Sequence, residues 1–201
     1  RDLKVIMDGV REGRKVFANT TKYIKSTLIS NFGNFFAVAT ASLLIDFLPM
    51  LPIQLLLLNL LSDTPMILIS TDTVDEDELV APKKYEVKEI VFFAAVLGFL
   101  STVFDFIFFG LFFRSGASVL QTNWFIGSVL TELVLIFSIR TKFSIFKSSR
   151  PSKLLTRASI VIFLVTLFLP YSMIGQSLFH FTPPSAFNLM TIISIVGIYF
   201  I

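Results

Sequence analysis

Six apolar blocks, at about 26–48, 51–70, 90–113, 124–139, 155–176 and 185–201, divide this sequence and govern everything it can fold into. Crossing a bilayer takes roughly 20 apolar residues at about 1.5 Å per residue, within a range of about 17–25. The blocks at 124–139 and 185–201 lie at the short end of that range. The block at 26–48 can reach back into its basic flank by snorkelling. Their apolar residues are not confined to one stripe, as they would be on a soluble amphipathic helix. Hydrophobic residues reach 54%, including 24 phenylalanines, with a mean hydropathy of +0.80. The reading is an all-α, polytopic transmembrane helix bundle of about six helices.

The charges agree. Sixteen of the 17 basic residues fall on one set of connections: Arg1, Lys4, Arg11, Arg14, Lys15, Lys22 and Lys25, then Lys83, Lys84 and Lys88, then Arg140, Lys142, Lys147, Arg150, Lys153 and Arg157. Only Arg114 falls on the other side. By the positive-inside rule the basic side is cytosolic, and an even number of crossings puts both ends there. This asymmetry accounts for the net charge of +3 without nucleic acid as a partner. Residues 1–25 read as a basic stem in water or at the interface, and 26–201 as a six-helix transmembrane domain. Asp46 to Pro52, Gly116 to Asn123 and Ser177 to Pro184 read as external turns, and Ser70 to Pro82 as an acidic cytosolic connection. The chain starts without a methionine and stops inside an apolar run, so it reads as a fragment of a longer protein.

Polar residues inside the blocks carry the chemistry. Thr27, Asn31 and Asn34 share one helical face of the first span, and Gly33 beside them admits a neighbouring backbone. In the second span Asn59, Ser62 and Asp63 share a face, and Pro65 follows. A proline there removes a backbone bond and is expected to interrupt the helix near Asp63–Pro65, freeing carbonyls at about Leu60 and Leu61. A carboxylate at a helix centre costs about 2.5–3.5 kcal/mol on insertion scales, so Asp63 needs a partner. No Lys or Arg lies at that depth in the sequence; a cation can supply the charge. Freed carbonyls that coordinate a cation at the midplane are a transporter device. Amide, hydroxyl, carboxylate and carbonyl oxygens favour a hard ion such as magnesium or calcium, and with no cysteine there is no thiolate path for a soft one. Each asparagine could equally serve as a hydrogen-bonding contact between helices. Glu132 is a second intramembrane carboxylate that could face the same cavity, and Asp105 is a weaker candidate that either caps packing or faces an external crevice. His180 reads as a solvated turn residue, and Asp75-Glu76-Asp77-Glu78 as a solvated loop, with a cytosolic acidic entry funnel as the alternative.

These residues resemble the P-type cation-transporting ATPases, specifically the last six of their membrane helices. Asp8-Gly9-Val10-Arg11-Glu12-Gly13-Arg14 is similar to the end of their phosphorylation domain. Leu51-Pro52-Ile53-Gln54-Leu55 through Asn59-Leu60-Leu61-Ser62-Asp63 is similar to their sixth helix with its N-x-x-x-D core. Ser30-Asn31-Phe32-Gly33-Asn34 and Asp72-Thr73-Val74-Asp75 are most similar to the bacterial magnesium-transporting group. The resemblance implies that Asn31, Asn34, Asn59 and Asp63 lie on the ion path, with Ser62 and Glu132 as further members. It implies magnesium as the transported ion and, together with ATP, as a participant in the intact protein's chemistry. Departures from the magnesium group at Ser62 and Glu132 leave calcium or another cation open, and a non-ATPase ion-binding membrane protein is the alternative of a different class. The family's D-K-T-G motif, nucleotide and actuator domains are not in this sequence, so this stretch alone is not catalytic. The expected partners are a lipid bilayer of the cell membrane, a divalent cation and the N-terminal pump domains.

Overall fold

Proline decides where helices can stop, because it lacks the N–H that a helix interior needs. Seven of the eight prolines stand outside helix interiors, and only Pro65 stands within one. The computed structural model describes residues 3–141, 143 and 148–200. Helices account for the regular structure among the described residues: α1 (Leu3–Leu44), α2 (Pro52–Leu68), α3 (Glu76–Val80), α4 (Val87–Phe112), α5 (Ala117–Ile139), α6 (Lys153–Phe168), α7 (Met173–Ser177) and α8 (Ala186–Tyr199). Short 3-10 turns extend α2, α4 and α6. Ser152, Ser172 and Ser185 cap α6, α7 and α8, each accepting a backbone N–H three residues on. Gly116, at φ 97°, makes the left-handed turn that separates α4 from α5.

The helix bundle agrees with the hydropathy. Five helices are long and apolar enough to cross a membrane. The sixth, α8, has 14 residues, or about 21 Å at 1.5 Å per residue. Three boundaries differ from expectation. The stem and the first span form one uninterrupted 42-residue helix, because no proline occurs between Leu3 and Leu44. α5 begins at Ala117, so most of the external turn expected at Gly116 to Asn123 is helical. Its polar residues find partners there: Gln121 Nε2 donates to the Leu48 carbonyl at 2.8 Å, and Thr122 Oγ1 accepts the Thr182 N–H at 2.9 Å. The fifth span ends at Phe168, before Pro170.

The interruption expected in α2 is confined to one missing bond. The helix runs through Pro65 to Leu68, leaving the Leu61 carbonyl without its usual i+4 donor. The Leu60 carbonyl accepts the Thr64 hydroxyl at 3.0 Å and is not freed.

α5 is the axis of the bundle. In its central stretch 78% of residues are buried, against 22–39% for the other four long helices. It packs against α1, α2, α4, α6 and α8, and Trp124, Phe125, Ile126 and Val129 form the core around it. Enclosure by protein on every side lets α5 carry buried Asn123, Ser128, Thr131 and Glu132. The largest helix contact is α1 on α4, where small residues allow close approach. A Cβ on Gly98 would stand 2.7 Å from Phe32 Cβ and 3.1 Å from Gly33 N. One on Gly33 would stand 3.3 Å from Ser101 Cβ. Gly33 therefore does admit a neighbouring helix.

At the basic end, three segments are tied together. Arg140, at 3% exposure, donates through Nε to Asp72 Oδ2 at 2.8 Å, through Nη1 to the Ser149 carbonyl and through Nη2 to Thr73 Oγ1. The Ser152 N–H reaches the other Asp72 oxygen at 2.6 Å, and Asn19 of α1 donates to the Asp72 carbonyl at 2.8 Å. Arg14 donates to the Leu79 and Val80 carbonyls. Among the basic residues assigned to this end, Arg1, Lys142 and Lys147 lie outside the described residues.

Candidate functional site

Glu132 sits midway along α5, where it is 6% exposed. Helical spacing on α1 aims two donors at it: Ser30 Oγ at 2.5 Å and Asn34 Nδ2 at 3.0 Å, both to Oε1. α2 brings the Ser62 hydroxyl beside the same carboxyl, and Asp63 is close enough to act on it electrostatically. Ser62 also donates to the Leu58 carbonyl at 3.0 Å. Glu132 Oε2 is buried and has no hydrogen-bond partner.

The structure therefore brings Asn34, Ser62 and Glu132 together, with Asp63 at the edge. Asn31, Asn59 and Asp63 are exposed on the outside of the bundle, and their side chains make no hydrogen bond or ion pair among the described residues. No group of three or more His, Cys, Asp or Glu able to hold a metal occurs among the described residues. Any ion here would rest on two carboxylates and neutral oxygens. Asn34 suits that role: its amide nitrogen is spent on Glu132, which leaves Oδ1 as an acceptor. Ser30 was not singled out from sequence, although it precedes Asn34 by one helical turn; a lone serine in an apolar run is too common to stand out. Asp105 proves to be buried in the core, accepting the Trp124 indole N–H at 2.7 Å, and does not face an external crevice. His180 is exposed, as expected of a turn residue.

The acidic connection corrects the solvated-loop reading. Glu76 and Asp77 are exposed, but Asp75 and Glu78 are buried, 6% and 9% exposed. Asp75 accepts from Ser149 N at 2.8 Å, Ser149 Oγ at 2.7 Å and Thr141 Oγ1 at 2.6 Å. Glu78 bridges Lys22 at 2.7 Å and Lys83 at 3.0 Å. Composition alone cannot separate a solvated acidic run from one whose first and last members turn inward to partners on distant segments.

Burial by itself would raise both carboxyls. For Asp75 the Thr141 and Ser149 hydrogen bonds outweigh it, and for Glu78 the bonds and charges of Lys22 and Lys83 do. Both are held below their ordinary values of 3.8 and 4.5. Each carboxylate then stabilises the fold fully above its ordinary value, and the contribution is lost as pH falls through the lowered native value. Thermal unfolding in detergent should be level from about pH 7 to pH 5 and weaken below about pH 4. Asp75→Asn should flatten that acid limb, and an unchanged limb would remove Asp75 from the account.

Comparison with known proteins follows the same lines. The family described as Cation transporting ATPase, C-terminus, matches residues 47–201. "Magnesium-transporting ATPase, P-type 1" of Salmonella typhimurium (strain LT2) is 35% identical over 185 residues, 89% of this chain and 20% of the relative. The protein of the same name in Escherichia coli (strain K12) is 35% identical over 185 residues, 89% of this chain and 21% of the relative. "Calcium-transporting ATPase" of Bacillus subtilis (strain 168) is 30% identical over 189 residues, 87% of this chain and 21% of the relative. The chain spans about a fifth of the length of these curated relatives.

Proposed function

Since the chain belongs to the family of cation-transporting ATPase C-terminal regions, we propose that it is the membrane half of an ATP-driven P-type pump whose cargo is magnesium. Residues 1–25 are its cytosolic stem and 26–201 its six-helix transmembrane domain, both ends on the cytosolic side of the cell membrane. Hydrolysis of ATP, with its own magnesium, belongs to N-terminal domains outside this sequence. The observation that carries the reading is the pair Glu132 and Asp63, two intramembrane carboxylates without a Lys or Arg partner among the described residues. Two negative charges in the bilayer interior call for a cation.

The donors fit a divalent hard ion. Glu132 and Asp63 supply the charge, and Asn31, Asn34, Asn59 and Ser62 supply neutral oxygens. Magnesium keeps several waters and takes one or two carboxylates, so it tolerates a shell that is amide-rich and partly wet. The open disposition of Asn31, Asn59 and Asp63 supports a site completed by water or by further protein, because an ionised side chain at mid-span cannot face lipid without penalty. α1 runs unbroken from the stem to Asn34, so motion of the phosphorylation machinery would reach the ion directly.

Isotope flux in vesicles made with the full-length protein tests the cargo. ATP-dependent magnesium movement is expected. Calcium movement without magnesium movement would transfer the chain to the calcium-pump reading that the Bacillus subtilis similarity also favours.

A further inference from the structure

Beside Glu132 lies a small cavity of about 10 Å³ between α1, α4, α5 and α8. Its lining includes Ser30 and Asn34, the donors to Glu132, together with Glu132, Ser128, Asp105 and Tyr199. Two of its lining residues carry a buried polar atom without a hydrogen-bond partner: Glu132 Oε2 and Ser128 Oγ. Both residues are more than nine-tenths buried, at 6% and 3% exposure. Glu132 Oε1 accepts from Ser30 and Asn34, and Oε2 is the oxygen of this carboxyl without a hydrogen-bond partner. Leaving a buried carboxylate oxygen or hydroxyl unpaired costs about 1–3 kcal/mol, more for the charged group.

The chamber has room for one water, which needs roughly 10–15 Å³ and two to four polar partners. We propose that a single ordered water occupies it, donating one hydrogen to Glu132 Oε2 and the other to Asp105, and accepting from the Ser128 hydroxyl. Trp124 already holds Asp105 Oδ1 at 2.7 Å, so the second Asp105 oxygen is the acceptor. Three hydrogen bonds is the usual complement of a buried water. The water locks the carboxyl of Glu132 with its other oxygen toward Asn34, and makes Ser128 and Asp105 positioning residues for the cation site. The cavity adjoins the cation site through Glu132 and Asn34 and is too small for a hydrated magnesium ion, so the water in it supports that site. This inference rests on Glu132 being a cation ligand.

The test uses transport by the full-length protein in proteoliposomes, with the magnesium concentration varied on the side from which it is carried and ATP saturating. Ser128→Val fills the chamber and expels the water; the half-saturating magnesium concentration should rise about tenfold with the maximal rate unchanged. Ser128→Ala removes one of three partners and should raise it about threefold. This variant only deletes an oxygen, and it carries the test if the valine protein fails to reach the membrane. Glu132→Gln serves as the control and should raise the half-saturating concentration more than either. If both Ser128 variants match wild type while Glu132→Gln is impaired, the bound water is refuted and the cation site stands. If Glu132→Gln also matches wild type, the cation role of Glu132 falls and the inference with it.

Discussion

Asp63→Asn in the full-length protein should reduce magnesium transport by about 100-fold or more, because a divalent ion loses one of its two charged ligands. The same change should leave membrane insertion intact or improved. An aspartate at a helix centre costs about 2.5–3.5 kcal/mol to insert, and the amide removes most of that cost. The Asp63 side chain is exposed on the bundle and makes no hydrogen bond or ion pair among the described residues, so none is lost. The two effects run in opposite directions, which separates a ligand from a structural residue. Wild-type transport in the mutant, measured alongside protein recovered in the membrane, would remove Asp63 from the ion path.

Arg140→Ala should be the most destabilising single change at the basic end. Asp72 is fully buried, and its carboxylate is held by Arg140 on one oxygen and the Ser152 N–H on the other. Removing one partner of a buried ion pair costs about 3–5 kcal/mol, because the remaining charge is left without compensation. Arg140→Lys should recover little. A lysine cannot reproduce the fork that reaches Asp72, Ser149 and Thr73 from three nitrogens. Adding Asp72→Asn to Arg140→Ala should restore part of the loss by deleting the stranded charge. Thermal unfolding of the detergent-solubilised protein reads all three variants against wild type, and an Arg140→Ala protein that melts with wild type would show the cluster to be decorative.

Hydropathy located the helices because lipid imposes the same apolar requirement on any span that faces it. It failed where a helix faces only protein. Gln121, Thr122 and Asn123 look like a loop in sequence, but they lie in the first turns of α5, buried, and two of them meet backbone partners on other segments. The candidate site was legible through helical spacing: Asn34 and Ser62 do converge on Glu132. Spacing fixes which residues share a face but not which neighbour that face meets. Asn31 and Asn59 therefore emerged on the outside of the bundle, and Ser30 was overlooked. The fate of Asp75 and Glu78 depended on residues up to 74 positions away, beyond the reach of any local pattern.

The tight crossing at Gly33 and Gly98 gives the long first helix a fulcrum close to one end. About 45 Å of helix lies on the stem side of Gly33 and about 16 Å on the other. A tilt about this point would swing the stem roughly three times as far as the outer tip, by the ratio of those arms. Asn31 and Asn34, beside the fulcrum, would scarcely travel. A lever of this geometry can take up a large stroke at its stem end while Asn31 and Asn34 stay in place, changing their aim by turning instead of by displacement.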